Sequence, residues 1–213
     1  VLGGTGMCIT TDVLKQYGWR ATCLVEDMEF TMKSLAHGIK TTWAHDAIVY
    51  DEKPLTFMQS WNQRKRWAQG QFDVAHRFIP VMFKEGIKRR DIRILDGCIY
   101  LLQPHFLMIS TFFIIASYCQ LWFGQFYTSI YTFMPSELMT AIMMGQYSLP
   151  MIILLKIRAK LKAWFYLLLY PVFIYSWIPI VFIGFFKRND HEWSHTKHTR
   201  AISYDQLMKN KKK

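Results

Sequence analysis

From Gly97 to Ser136 the chain carries no Asp, Glu, Lys or Arg. That gap limits what the chain can fold into more than any other feature. Within it, Tyr100–Trp122 is long enough to cross a bilayer, which takes about 20 apolar residues. Two more apolar runs follow: Leu138–Leu155, which is shorter, and Ala163–Phe186, the longest and least interrupted. Before residue 97 charges are frequent and apolar runs are short, as in a soluble α/β lobe. Apolar residues make up 52% of the chain, yet the formal net charge is +11. That pairing favours a membrane protein with basic cytoplasmic flanks over a soluble nucleic-acid binder, so no nucleic-acid partner is expected. Cys8, Cys23, Cys98 and Cys119 form no Cys-x-x-Cys pair. They read as free thiols in a reducing compartment, not as a zinc or redox site.

The chain opens at Val1 inside a glycine turn, "GGTGM", and reads as a piece of something longer. "TTDVLKQYGW" predicts a short helix capped by Thr11 or Asp12 and closed by Gly18. "EDMEFTMKSLAHG" predicts a second helix, with an acidic first turn, one face of Met28, Met32 and Leu35, and a stop at Gly38. "KTTWAHDAIVY" is rich in β-formers and predicts a strand. Pro54 opens a further helix, and Glu85–Leu95 suits an interfacial helix approaching the membrane.

The topology raises a conflict. Lys156, Arg158, Lys160 and Lys162 mark one loop as cytoplasmic, whereas the Trp122–Glu137 connection has no Lys or Arg and belongs outside. The basic tail from Lys187 also belongs inside, yet three complete spans would leave it outside. Pro171 and Pro179 suggest a broken or re-entrant third run.

Two motifs carry chemistry. In "WNQRKRWAQGQ" (Trp61–Gln71), a helix at 100° per residue brings Gln63, Arg66 and Trp67 within an arc of about 100°. Lys65 then lies opposite and Arg64 at an edge. A guanidinium binds phosphate bidentately and an indole stacks on a sugar ring. Snorkelling cations at a membrane interface would give the same composition. In "VEDMEF", Glu26 and Asp27 complement the dipole of a helix N-terminus. One of them could equally be a general base, held ionised by that dipole. His191, His195 and His198 in "HEWSHTKHTR" have helical spacing but lack the motif of a metal site.

The acidic pair, followed some forty residues later by "QRKRW" and then by hydrophobic spans, resembles the membrane-embedded family 2 glycosyltransferases. These include the cellulose, chitin, hyaluronan and poly-N-acetylglucosamine synthases. "GTGM" at Gly4–Met7 and "RWAQGQ" from Arg66 look most like the poly-N-acetylglucosamine branch. The resemblance implies inverting transfer of a sugar, N-acetylglucosamine, from a UDP-sugar donor to a growing polysaccharide acceptor, coupled to translocation. Asp27 would be the base, supported by Glu26. Gln63 and Trp67 would place the acceptor, Arg64 and Arg66 would lie in the substrate-binding segment with Arg66 meeting the diphosphate, and Gly4, Thr5 and Gly6 would turn close to the acceptor. Trp193, Thr196 and Arg200 would fold back over the nucleotide.

The same resemblance implies a fold: α/β, with residues 1–84 as the C-terminal part of a GT-A catalytic domain. Residues 85–98 would form an interfacial helix and 99–186 an α-helical transmembrane region, with spans at about 100–122, 138–155 and 163–186. Residues 187–213 would be a basic tail. Mg²⁺ or Mn²⁺ is implied as cofactor, its ligands and the nucleotide site lying upstream of Val1, so that this segment alone would be inactive. The expected setting is a multi-pass protein of the cell membrane with its catalytic part cytoplasmic, with the bilayer and an accessory membrane subunit as partners. The rival readings are a non-processive transferase acting on a lipid carrier and a non-enzymatic membrane scaffold or transport protein.

Overall fold

The computed structural model describes residues 1–123 and 136–190; within 113–123 and 136–147 it defines the backbone and only some side chains. Among these residues every regular element is helical. The α/β expectation is thereby corrected. Residues 40–50, read as a strand, form an exposed irregular segment. A strand needs a neighbour to take its backbone N–H and C=O groups, and among the described residues none is paired with this segment in a ladder. Its alternation of β-formers therefore has nothing to pair with.

The chain divides into two compact units, Val1–Gln103 together with the chain from Ile183, and Pro104–Phe182. The first unit holds α1 (Thr11–Tyr17), α2 (Glu26–Ala36), α3 (Phe57–Arg89) and the opening turns of α4 (Ile92–Phe123). Helix α1 is capped at Thr10, one residue earlier than the sequence suggested, and closes at Gly18 with φ 63°. Helix α2 begins on its three carboxylates and ends as expected: Gly38 takes φ 84°, and Ile39 N–H returns to the Ser34 carbonyl. Helix α3 starts later than Pro54 implied. Its cap is Thr56, whose hydroxyl accepts from Gln59 N–H while the Gln59 side chain accepts from Thr56 N–H, a reciprocal capping box.

The stretch 85–98 is not one helix. Helix α3 ends at Arg90 (φ 53°), where Asp91 N–H meets the Gly86 carbonyl, and α4 starts immediately after. Met32 on α2, Val74, Ala75 and Met82 on α3, and Ile94, Cys98 and Leu101 on α4 form one buried cluster with Val25. Met28 and Leu35 flank it, so the predicted apolar face of α2 is the one that packs.

The second unit contains the rest of α4, α5 (Ser136–Lys156) and a broken run: α6 (Leu161–Phe165), a 3₁₀ turn (Tyr166–Leu169), α7 (Tyr170–Tyr175) and most of α8 (Trp177–Phe186). The breaks fall where Pro171 and Pro179 led one to expect them. Pro171 sits in the first turn of α7, where its missing N–H does no harm. Ile109, Phe112, Leu149, Ile152 and Leu168 are all more than half exposed. Exposed apolar surface on this scale suits lipid better than water. Two stretches, Ile92–Phe112 and Leu161–Phe186, are long and apolar enough to cross a membrane.

Glycine spacing tests this packing. A Cβ at Gly97 would lie 2.7 Å from both Leu35 and Met82, whereas one at Gly145 would meet nothing described within 4 Å. Gly97→Val should therefore destabilise the first unit by about 1–3 kcal/mol, read as a lowered melting midpoint of the detergent-solubilised protein. Gly145→Ala should leave the midpoint unchanged or higher.

Candidate functional site

Three segments converge around Asp27. The first is α2 itself, which presents Glu26 and Asp27 in its opening turn. The Asp27 carboxylate is half-buried and accepts the N–H of Met28 at 2.7 Å. The second is the glycine turn. Leu2 N–H donates to the Thr31 hydroxyl at 2.9 Å, and that hydroxyl donates to the Asp27 carbonyl at 2.7 Å. This two-bond link ties the chain entering the turn to the first turns of α2. A Cβ on Gly4 would stand 3.4 Å from Asp27 Oδ2, so the turn runs directly beside the carboxylate. Gly6 has φ 70° and abuts Val49, which leaves no room for a side chain there. Thr5 between them is exposed.

The third segment is α3. Arg66 is half-buried and lies within electrostatic reach of Asp27. One turn later, a Cβ on Gly70 would press to 2.6 Å from Val25, the residue before the acidic pair. That glycine lets the Val25 side chain, at the start of α2, pack directly on the α3 backbone. Gln63 is half-buried, and Trp67, 43% exposed, offers much of its indole to solvent. Arg64, which the wheel placed at an edge, is the buried cation of the group at 2% exposure. Its Nε donates to the Ser60 carbonyl and its guanidinium lies 5.7 Å from the centroid of the Phe57 ring. A helical wheel fixes relative angles only; it does not say which direction faces the core. Arg64 therefore stands apart from Arg66 and Trp67 as part of the packing of α3.

The electrostatics of Asp27 also run against the dipole argument. Burial raises its carboxyl above the ordinary carboxylate range. The Met28 N–H opposes this, Glu26 adds to it and Arg66 opposes it again, leaving the group raised. Desolvation outweighs the helix terminus.

Beside this group sits an ion cluster that sequence reading passed over. Arg77 on α3 donates to Glu29 Oε1 at 2.8 Å, to the Thr22 hydroxyl at 3.1 Å, and through two further nitrogens to Asp73 at 2.9 and 3.1 Å. The other Glu29 oxygen accepts the N–H groups of Thr22 and Cys23 at 2.9 and 3.0 Å. Burial alone would raise the Glu29 carboxyl, but these donors overcome it and hold the group at about 2. Burial also pushes the Cys23 thiol up to about 12, so it stays protonated and unreactive at neutral pH. The one available signal was the Asp73–Arg77 spacing, an i,i+4 pair. Glu29 looked like one more acid in a helix's first turn.

The far end of α8 closes the other flank of α3. A Cβ on Gly184 would lie 2.7 Å from Ala68, Gln69 Nε2 donates to the Lys187 carbonyl at 3.1 Å, and Phe185 sits edge-on to Phe72. The chain thus leaves α8 beside the segment carrying Arg66 and Trp67. Trp193, Thr196 and Arg200, like the three tail histidines, lie outside the described residues.

A cavity of about 410 Å³ opens nearby, lined among others by Thr31, Lys40, Arg93, Asp96 and Tyr100. It contains none of Asp27, Arg66 and Trp67, so this space does not mark the chemistry. Among the described residues no three His, Cys, Asp or Glu side chains converge, and Glu29 is already committed to Arg77. The residues present do not fit the Mg²⁺ or Mn²⁺ that the resemblance implies, and no step below runs through a metal.

The linkage of Glu29 has a definite sign. A carboxyl lowered on folding from 4.5 to about 2 contributes stability that is complete above pH 4.5 and drains away as pH falls toward 2. The melting midpoint of the parent should fall across that window. Glu29→Gln should start lower at neutral pH, by roughly 3 kcal/mol of stability, and should lose this part of the pH dependence.

The profile of Glycosyl transferase family group 2 matches residues 1–186. The chain is 31% identical over 105 residues to "Probable glycosyltransferase YdaM" of Bacillus subtilis (strain 168), which covers 49% of this chain and 24% of that protein. It is 38% identical over 53 residues to "Probable glucomannan 4-beta-mannosyltransferase 3" of Arabidopsis thaliana, covering 25% of this chain and 10% of that protein. The chain thus spans no more than about a quarter of the length of either relative. No solved structure matches it.

Proposed function

The chain belongs to glycosyl transferase family group 2, and on that footing we propose that it carries the acceptor side of an inverting transfer from a UDP-sugar to a growing polysaccharide at the cytoplasmic face of the cell membrane. That it is part of a glycosyltransferase follows from the family. The identity of the base, the donor and the polymeric acceptor is our reading. N-acetylglucosamine is the sugar favoured by "GTGM" and "RWAQGQ".

One observation carries the proposal: a half-buried carboxylate, Asp27, beside the glycine turn at Gly4 and within electrostatic reach of the cation Arg66. An acceptor hydroxyl approaching over Gly4 gives its proton to Asp27. Its oxygen then attacks the anomeric carbon in line as the bond to the diphosphate oxygen breaks, inverting the configuration. Burial raises the Asp27 carboxyl and so makes its carboxylate a stronger base than an ordinary one. Arg66 is a source of positive charge for the leaving diphosphate, and the exposed indole of Trp67 is a platform for the acceptor ring. Glu26 supports the ionisation balance of Asp27, and Gln63 lies one turn before Trp67 to receive sugar hydroxyls.

The membrane arrangement is part of the same proposal, supported by the contact at which the chain re-enters the first unit. With Gln69 holding the Lys187 carbonyl, our reading puts the lobe before α4 and the end of α8 on one side of the bilayer, with an even number of crossings between them. With the basic loop at Lys156–Lys162 inside, α4 and α5 make the two crossings. The broken Leu161–Phe186 run then enters and leaves on the cytoplasmic side. Fluorescent-protein and alkaline-phosphatase reporters fused after Lys213 test this. Fluorescence without phosphatase activity is expected; an active phosphatase would mean an odd number of crossings.

For the chemistry, Asp27→Asn in the full-length protein should lower UDP release by about 10²–10⁴-fold. Trp67→Ala should abolish polymer synthesis, with both variants inserted in the membrane at parental levels. Parental turnover in Asp27→Asn would remove the base assignment.

A further inference from the structure

The contacts of α2 on α3 follow a stripe. Arg66, Gly70, Asp73 and Arg77 stand at i, i+4, i+7 and i+11, which is one face of a helix. Arg66 lies within electrostatic reach of Asp27, Gly70 receives Val25, and Arg77, steadied by Asp73, grips Glu29. The first turn of α2 is therefore pinned to one face of α3 at two points that bracket Asp27: Val25 before it and Glu29 after it. Asp27 and Glu29 are two residues apart, about 200° around the helix. One carboxylate can thus be buried against Arg77 while the other opens toward the glycine turn. Glu29 also holds the Thr22–Cys23 backbone that leads into α2, so the entry to the helix bearing Asp27 is fixed as well.

We propose that Glu29 and Arg77 are positioning residues for the transfer reaction: their ion pair sets the register of α2 on α3 and so holds the Asp27 carboxylate half-buried opposite Arg66. The inference rests on Asp27 being the base that deprotonates the acceptor. Neither Glu29 nor Arg77 touches substrate. Their effect passes through a rigid helix, and a shift of about 1 Å at a reacting group can lower a rate about 100-fold. The charged and titratable groups around Asp27 are Glu26 on its own helix, Arg66 on α3 and Tyr100 on α4. Because burial is the largest influence on Asp27, releasing the clamp admits water and draws its carboxyl back toward the ordinary range.

The test uses the full-length enzyme in proteoliposomes, with UDP-N-acetylglucosamine as the donor probe and UDP release as readout, each rate normalised to the monodisperse folded fraction. Glu29→Gln should lower kcat by about 10- to 100-fold, leave the donor KM within about threefold, and move the acid limb of the kcat–pH profile to lower pH. Arg77→Lys keeps the charge, but a single ammonium cannot reach Glu29, Asp73 and Thr22 together. It should fall between the parent and Glu29→Gln in both rate and limb. If the folded fraction drops while kcat per folded molecule stays within about twofold and the limb does not move, the clamp is merely structural and the inference is overturned. Asp27→Asn is measured alongside. If that variant is dead and Glu29→Gln behaves like the parent, the clamp fails and the base stands; if Asp27→Asn is active, the base reading fails and takes the clamp with it.

Discussion

The ion pair between Glu29 and Arg77 is the fastening on which the rest of the first unit depends. It joins two helices whose sequences lie 48 residues apart, and it does so at the one place where α2 could otherwise slide along α3. A buried pair of this kind adds little net stability relative to apolar packing, since desolvation offsets most of the attraction. Its value is register. Without it, the apolar cluster around Met32, Val74 and Met82 could be satisfied by several neighbouring offsets of two greasy faces. With it, only one offset lets Glu29 find Arg77, Thr22 and Cys23 together.

Glycine completes what the ion pair starts. Gly70 lets α3 meet Val25, Gly97 lets α4 meet Leu35 and Met82, and Gly184 lets the end of α8 meet Ala68. At each point a Cβ would intrude: on the Val25 side chain at Gly70, on the ends of Leu35 and Met82 at Gly97, and on the Ala68–Gln69 backbone at Gly184. As a result, the segment bearing Arg66 and Trp67 is held from both flanks: by α2 with its carboxylates and by the end of the last apolar run. A site built on such a segment moves little unless the membrane-proximal elements move with it.

What the sequence revealed and what it hid follow physical lines. Helix α2 was legible because its start and stop are local: carboxylates in the first turn and a glycine that takes positive φ at Gly38. The broken third run was legible because proline acts through its own ring. The strand at 40–50 was misread because β-formers report a preference, while a strand exists only through a partner. That Arg64 is the buried cation of its segment was not legible, because periodicity carries no absolute direction. The capping box at Thr56 and Gln59 was visible in "TFMQ", but Pro54 drew attention first. Glu29 was hidden for a deeper reason. Its role depends on Arg77 two helices' worth of chain away, and nothing local separates it from Glu26 and Asp27. The direction of the Asp27 shift was missed for the same cause, since burial is a tertiary property and the helix dipole is a local one.

The proposed acceptor site is built from the opening of α2, the Gly4 turn and the Arg66–Trp67 segment. The most direct measurement is an experimental structure of the full-length enzyme with an acceptor oligosaccharide bound. The terminal hydroxyl is expected within hydrogen-bond distance of the Asp27 carboxylate, about 2.6–3.2 Å, with the terminal ring against the Trp67 indole. An acceptor seated elsewhere, with Asp27 facing only protein, would contradict the assignment of this site.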